Sequence, residues 1–196
     1  ALAVGKELKK TMVIAKDAPG FIVNRLLTRF MGEITDAMDE GTPYDVADNA
    51  LREIGFPMTP FELFDLVGPG VALHVSETLH NNLGDRYRIS PTIKRLVENN
   101  VRTIYIKDDK GAKQPNPAAI ALMEKGSNPS TAEQVRDRAL KALAEEARMM
   151  IDEGVSSATD IDLAMMLGAG WPLMLGGILP YLDRAGYSNP RFHEPG

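Results

Sequence analysis

Apolar residues recur at three- and four-residue steps along most of this chain, the pattern of helices that each bury one face. The clearest case follows a break at Pro19-Gly20. Val23, Leu26, Leu27, Phe30, Ile34, Ala37 and Met38 then line one side of a predicted helix of about four to five turns. Thr42-Pro43 predicts a cap with proline in the first turn of a second helix, closed by Gly55. Thr59-Pro60-Phe61-Glu62 is a capping box with proline at the first helical position. Further helices are predicted from Val71 to Leu83, stopped by Gly84, and from Ser90-Pro91 to about Asn99. Thr103 to Lys107 reads as a short extended segment, followed by the turn Asp108-Asp109-Lys110-Gly111 and by Gln114-Pro115-Asn116-Pro117. Ser127-Asn128-Pro129-Ser130 marks a second boundary. Ser130 and Thr131, with Glu133 and Gln134 three residues on, offer two overlapping capping boxes for a long helix to about Glu153.

That long helix repeats the first. Asn24 to Gly41 and Asp137 to Gly154 are both 18 residues, offset by 113, and share Arg25/Arg138, Leu27/Leu140, Glu33/Glu146, Asp39/Asp152, Glu40/Glu153 and Gly41/Gly154. After a two-residue slip, Asp45 to Pro57 and Asp160 to Pro172 have equal length, and both close on Gly-aromatic-Pro. Shared terminators in the same order favour duplication over chance likeness of two amphipathic helices. The heads differ: Asn24 in the first stretch faces Asp137 in the second.

Composition narrows the function classes. With 196 residues, 44% hydrophobic and 25% charged, the chain has room for one or two ordinary globular domains. A net charge of −5 and only 6% aromatics leave no footprint for nucleic acid. No apolar run approaches the roughly 20 residues that span a bilayer. The longest, Met165 to Leu182, is interrupted by Gly168, Gly170, Pro172, Gly176, Gly177 and Pro180. The absence of cysteine excludes disulfides, thiol catalysis and thiolate metal sites, and fits a cytoplasmic location.

Few residues offer chemistry. Asn24 stands in the first turn of its helix, at the edge of the buried stripe, and on helix statistics alone reads as an N-terminal cap. His74, Glu77 and His80 are three apart, but they fan across ~120° of helix, unlike an i, i+4 zinc pair, so a solvated face is the better account. Met149, Met150, Met165, Met166, Met174 and Trp171 suggest either an acyl groove or core packing, and helical spacing favours the core. Gly68-Pro69-Gly70 and Gly168-Ala169-Gly170 have Leu73 and Leu173 where a dinucleotide fingerprint needs its third glycine, and neither follows a strand.

The string Asp17-Ala18-Pro19-Gly20-Phe21-Ile22-Val23-Asn24-Arg25 resembles the start of the C-terminal domain of the 3-hydroxyacyl-CoA dehydrogenases, which reads Asp-x-Pro-Gly-Phe-x-x-Asn-Arg. Gly55-Phe56-Pro57-Met58-Thr59-Pro60-Phe61-Glu62-Leu63-Phe64-Asp65 is similar to a second family segment, departing from it at Thr59, where glycine is usual. Either residue caps a helix before Pro60, so the turn should survive. Gly168 to Pro172 and Pro180 to Gly186 resemble the tandem helical copy of the multifunctional fatty-acid oxidation proteins, in which the dehydrogenase follows an enoyl-CoA hydratase.

The resemblance implies an all-α fold of two tandem helical copies. Residues 1–16 would be a helix-and-strand remnant of a nucleotide-binding domain, so the chain reads as cut from a longer one. Residues 17–107 would form the first copy, 108–129 a linker, and 130–196 a second, degenerate copy. It implies NAD-dependent oxidation of a 3-hydroxyacyl-CoA to the 3-ketoacyl-CoA in β-oxidation by the full-length protein. NAD and the catalytic histidine–glutamate pair would belong to the missing nucleotide-binding domain, since His74, His80 and His193 do not match that motif. Asn24 would be catalytic, and Phe21, Pro57, Met58 and Pro60 would wall the acyl pocket. Candidate partners are acyl-CoA, the missing domain, an enoyl-CoA hydratase domain and a thiolase subunit. The rival reading is a catalytically silent helical scaffold for association.

Overall fold

The computed structural model describes residues 2–8 and 21–194. Residues 9–16 of the expected helix-and-strand remnant and the Pro19-Gly20 break lie outside them. The helices are α1 (Leu2–Glu7), α2 (Val23–Asp39), α3 (Tyr44–Asn49), α4 (Pro60–Val67), α5 (Pro69–Leu83), α6 (Pro91–Glu98), α7 (Pro117–Leu122), α8 (Ala132–Asp152), α9 (Ala158–Gly168) and α10 (Ile178–Arg184). The short strands β1 (Tyr105–Lys107) and β2 (Lys113–Pro115) pair antiparallel, Ile106 opposite Gln114. The chain is thus mostly helical, with one small hairpin.

Local signals account for most boundaries. Thr59 and Thr131 each close a full capping box, with Glu62 and Gln134, and Ser90 accepts the N–H of Ile93. Of the two overlapping boxes at α8, the one headed by Thr131 forms. The helix read from Thr42-Pro43 to Gly55 is a correction at both ends: Pro43 holds the cap position of α3, the Thr42 hydroxyl accepts the backbone N–H of Ser130 from far along the chain, and α3 stops at Asn49, with Gly55 closing a separate 3-10 turn, Arg52–Ile54. Segment 108–129, expected as a linker, carries β2 and α7, and Ala119 is fully buried. It presses on the end of α2, where a Cβ added to Gly126 would lie 2.2 Å from the carbonyl carbon of Glu40.

Helices α2 and α8 form the centre and pack more extensively than any other pair. Leu26, Ile34 and Ala37 meet Ala139, Leu140, Leu143 and Ala147, all closed to solvent. The small alanines let the two helices approach closely. Phe30 and Leu143, separated by the same 113 positions as the repeated residues, are both buried. The charged residues that border this core are reciprocal. Arg25, at the start of α2, donates to Glu146 of α8 and to Glu153 just past its end, while Arg138 of α8 donates to Glu33 of α2 and to Glu40 just past its end. Start therefore meets end in both directions, so the helices run antiparallel. Each residue of one set has its counterpart, 113 positions on, in the other, the arrangement expected about a twofold axis.

A second correspondence lies outside the central pair. Asp48 accepts the N–H of Phe61, the second residue of α4, at 2.8 Å, and its other oxygen accepts the Tyr105 hydroxyl. Asp162 accepts the N–H of Leu179, the second residue of α10, at 2.8 Å, and its other oxygen pairs with His193 Nε2 at 2.9 Å. Asp65 then takes the N–H groups of Ile104 and Tyr105, and Asp183 those of Phe192 and His193. The two clasps differ in what they enclose. Asp65 and Ile104 are 39 residues apart, Asp183 and Phe192 only nine. The difference is the helical hairpin of α5 and α6, which only the first half possesses.

The methionines divide. Met150, Met165 and Trp171 are core, Trp171 stacking edge-on against Phe56 and Tyr181, but Met149 and Met174 are exposed. Met174 sits on a one-turn 3-10 helix, Leu173–Leu175, that leaves no inward face for every apolar residue.

Candidate functional site

Asn24 is the second residue of α2 and its side chain is exposed. The helix is headed by Ile22, in helical conformation, with no side-chain hydrogen bond capping it. Asn24 therefore does not cap α2, and among the described residues its amide has no partner. Its sequence counterpart, Asp137, lies six residues into α8 and accepts the hydroxyl of Tyr187, so it caps nothing either.

Beside Asn24 the structure leaves a cavity of about 170 Å³. Helix α2 contributes a stripe at helical spacing: Asn24, Leu27, Thr28, Met31, Gly32 and Thr35. Leu63, Phe64 and Val67 of α4 and Val71, Ala72 and Val75 of α5 complete an apolar lining. The loop from Arg86 to Ser90 closes one side. Asn24, Thr28, Thr35, Ser76, Arg86, Arg88 and Ser90 add polar groups along the cavity, so the walls are mainly apolar with interspersed polar groups, the mix that small-molecule sites use.

That loop is fastened from beneath. The Tyr87 hydroxyl donates to the backbone carbonyl of Arg25 at 3.1 Å, next to Asn24. Burial, first, and the nearby Glu146 carboxylate push the Tyr87 phenol far up, so it remains a donor. Arg86 donates Nε and Nη2 to the two oxygens of Glu146, at 2.8 and 3.0 Å. Arg25 donates to the same carboxylate at 2.7 Å. Burial opposes the charge on Glu146, but Arg86 and Arg25 outweigh it and hold the carboxyl below its ordinary range. One buried acid of α8 thus anchors both the head of α2 and the loop over the cavity.

Arg88, on the same loop, pairs with Asp36 at 3.2 Å. Burial raises the Asp36 carboxyl to about 7, against the pull of Arg88 and with repulsion from Glu33 and Asp39.

The other residues singled out from sequence fall elsewhere. Pro57, Met58 and Pro60 line a neighbouring cleft of about 50 Å³ with Phe56 and Ala169. Leu27, Met31 and Leu63 line both spaces and form the wall between them. Phe21 is exposed, with a backbone φ of 46°, in the left-handed region that a bulky residue rarely adopts. Sequence reasoning missed Thr28, Gly32, Val71 and the Arg86–Ser90 loop as lining. The α2 members were within reach, since they share the i, i+3/i+4 stripe of Asn24. His80 is held by the Tyr87 carbonyl at 2.8 Å, and His74 is exposed. Among the described residues no group of His, Cys, Asp and Glu is arranged to hold a metal ion. The only sheet among the described residues is the β1–β2 hairpin.

Comparison with known proteins gives the site its context. The chain is 30% identical over 197 residues to the fatty acid oxidation complex subunit alpha of Shewanella amazonensis, covering 94% of this chain and 28% of that protein. It is 32% identical over 194 residues to the subunit of the same name from Aliivibrio fischeri, again covering 94% of this chain and 28% of the relative. It therefore spans little more than a quarter of the curated relatives it matches. Its fold is similar to the crystal structure of 3-hydroxybutyryl-CoA dehydrogenase from Escherichia coli K12, with a TM-score of 0.66, 22% identity, and 99% of this chain set on 62% of that one. The 3-hydroxyacyl-CoA dehydrogenase C-terminal domain matches residues 20–103 and 135–189, two segments that between them take in both reciprocal helices, and the chain belongs to that family.

Proposed function

We propose that this chain is the substrate-side, C-terminal part of an NAD-dependent 3-hydroxyacyl-CoA dehydrogenase of fatty-acid β-oxidation. In this reading residues 17–107 and 130–196 are tandem copies of one helical domain, and the first carries the site. The reciprocal Arg–Glu pairs and the two aspartate clasps support the duplication. The observation that carries the functional reading is Asn24: an exposed amide, without a partner among the described residues, at the edge of an apolar cavity. An asparagine there can donate its N–H to the reacting oxygen of a 3-hydroxyacyl group while the alkyl chain enters the cavity, a positioning and electrostatic role. In this reading Phe21, Pro57, Met58 and Pro60 are further wall residues of the substrate, although Pro57, Met58 and Pro60 line the neighbouring cleft rather than the cavity at Asn24.

NAD supplies hydride acceptance in such enzymes and would be held by a domain outside the described residues. The multifunctional relatives suggest an enoyl-CoA hydratase domain and a thiolase subunit as further partners, and a cytoplasmic setting. No helix of the described residues is long and apolar enough to cross a membrane. The rival role, a silent association scaffold, suits the second half better than the first. The second half keeps the clasp and the central helix, but it has neither Asn24 nor the α5–α6 hairpin.

The test is turnover of 3-hydroxyacyl-CoA with NAD by the complete protein that contains this chain. Replacing Asn24 by Asp exchanges an amide donor for an anion that only accepts. We expect kcat to fall by about 10²-fold or more, as on losing one oxyanion donor, with the fold intact. Wild-type turnover in a folded Asn24→Asp protein defeats the proposal.

A further inference from the structure

Gly32 stands in the interior of α2 without a structural need to be glycine. Its backbone is ordinary helix, outside the left-handed region, and a Cβ placed on it meets no atom within 4 Å. Glycine is the least favourable residue for a helix interior after proline, because it surrenders the most backbone freedom on folding. Among the described residues no close approach of another element explains it. The missing side chain does one visible thing: Gly32 lines the cavity, on the same stripe as Asn24, Thr28 and Thr35.

We propose that Gly32 is a chain-length determinant, keeping the cavity open to medium-length acyl groups of about eight to ten carbons in preference to four. This rests on the reading of the cavity as the acyl site. Two magnitudes set the length. Gly32 is eight residues beyond Asn24, about 12 Å along the helix. An extended alkyl chain advances roughly 1.3 Å per carbon, given C–C bonds near 1.5 Å, so about nine carbons span that distance. Volume is the tighter limit. An apolar cavity of about 150 Å³ takes a six-carbon ring. The 170 Å³ here therefore takes about six carbons beyond the one held at Asn24. A four-carbon substrate leaves that space unfilled, whereas each methylene buried in it tightens binding by about fourfold. Helical side chains lean toward the N-terminus of their helix. A leucine at position 32 would therefore lie back over Thr28, across the path of the chain.

The experiment compares kcat/KM for 3-hydroxydecanoyl-CoA and 3-hydroxybutyryl-CoA in the complete protein, with NAD, for wild type, Gly32→Ala and Gly32→Leu. The wild-type ratio should favour ten carbons. Gly32→Leu should cut that ratio by about 30-fold or more. Gly32→Ala should cut it partly while its melting temperature holds or rises, which separates loss of space from loss of fold. A ratio unmoved by both substitutions overturns the inference. The functional reading would still stand in that case if Asn24→Asp abolishes turnover. Absence of turnover with either substrate in the wild-type protein overturns the functional reading and this inference together.

Discussion

Arg25 donates Nε to Oε1 of Glu146 at 2.7 Å, and neither side chain is more than 1% exposed. Its counterpart is wetter: Arg138 is 27% and Glu33 12% exposed. The same pairing thus exists twice in different dielectric surroundings, which separates burial from geometry.

Glu146→Leu should leave the Arg25 and Arg86 guanidinium groups facing a lost charge, Arg25 in a dry interior, and cost about 3–5 kcal/mol. Glu40→Leu removes a partner from the more exposed arm of the pairing, where Arg138 is 27% and Glu40 34% exposed, and should cost about 1 kcal/mol or less, because solvent screens it. Urea unfolding of the chain and both variants measures the difference. Equal midpoints for the two would show that burial does not decide the strength of these pairs.

Because Asn24 makes no capping bond, Asn24→Ala should change stability by no more than about 0.5 kcal/mol. Thr131→Ala, which breaks a capping box, should cost about 0.5–2 kcal/mol and serves as the control. A cost at Asn24 as large as that at Thr131 would return Asn24 to a structural role.

Asp36 predicts a pH dependence of definite sign. Its folded carboxyl titrates near 7 because of burial, against an ordinary value of 3.8. Between those values the folded chain holds a proton that the unfolded chain releases, so this residue's contribution to stability falls as pH rises from about 4 through 7. Asp36→Asn should flatten that part of the profile and make the chain more stable at pH 8 than wild type. Denaturant midpoints from pH 4 to 8, taken as wild type minus variant, isolate the residue. Parallel profiles would show that Arg88 keeps Asp36 charged throughout.

The chain by itself should not bind NAD, since its described residues offer no glycine-rich turn between a parallel strand and a helix. Calorimetric titration gives the answer, and micromolar binding would contradict it.

Much of the helical framework was legible because its determinants are short-range. Thr59, Ser90 and Thr131 meet backbone groups three residues away, and Gly84 ends α5 by its own left-handed backbone, φ 99°. The twin sets Arg25–Glu33–Glu40 and Arg138–Glu146–Glu153 were visible as a repeat. Their crosswise pairing was not, because a repeat says nothing of which copy each arginine faces. Thr42 was misread for a related reason: its local pattern is that of a cap, yet its oxygen is taken by Ser130, 88 residues on.

By itself the sequence determined the family, the capped starts of α4, α6 and α8 and the one amide worth testing, since those rest on neighbouring residues and on motif spelling. Only the tertiary structure decided that Asn24 borders a cavity. That space exists because α4, α5 and the Arg86–Ser90 loop arch over α2, with the loop held down by Glu146 from α8, 60 residues from Arg86. Empty volume has no code of its own in a chain. It is what remains when side chains from distant elements fail to meet, and Gly32 shows it most plainly, a residue whose part lies in the atoms it lacks.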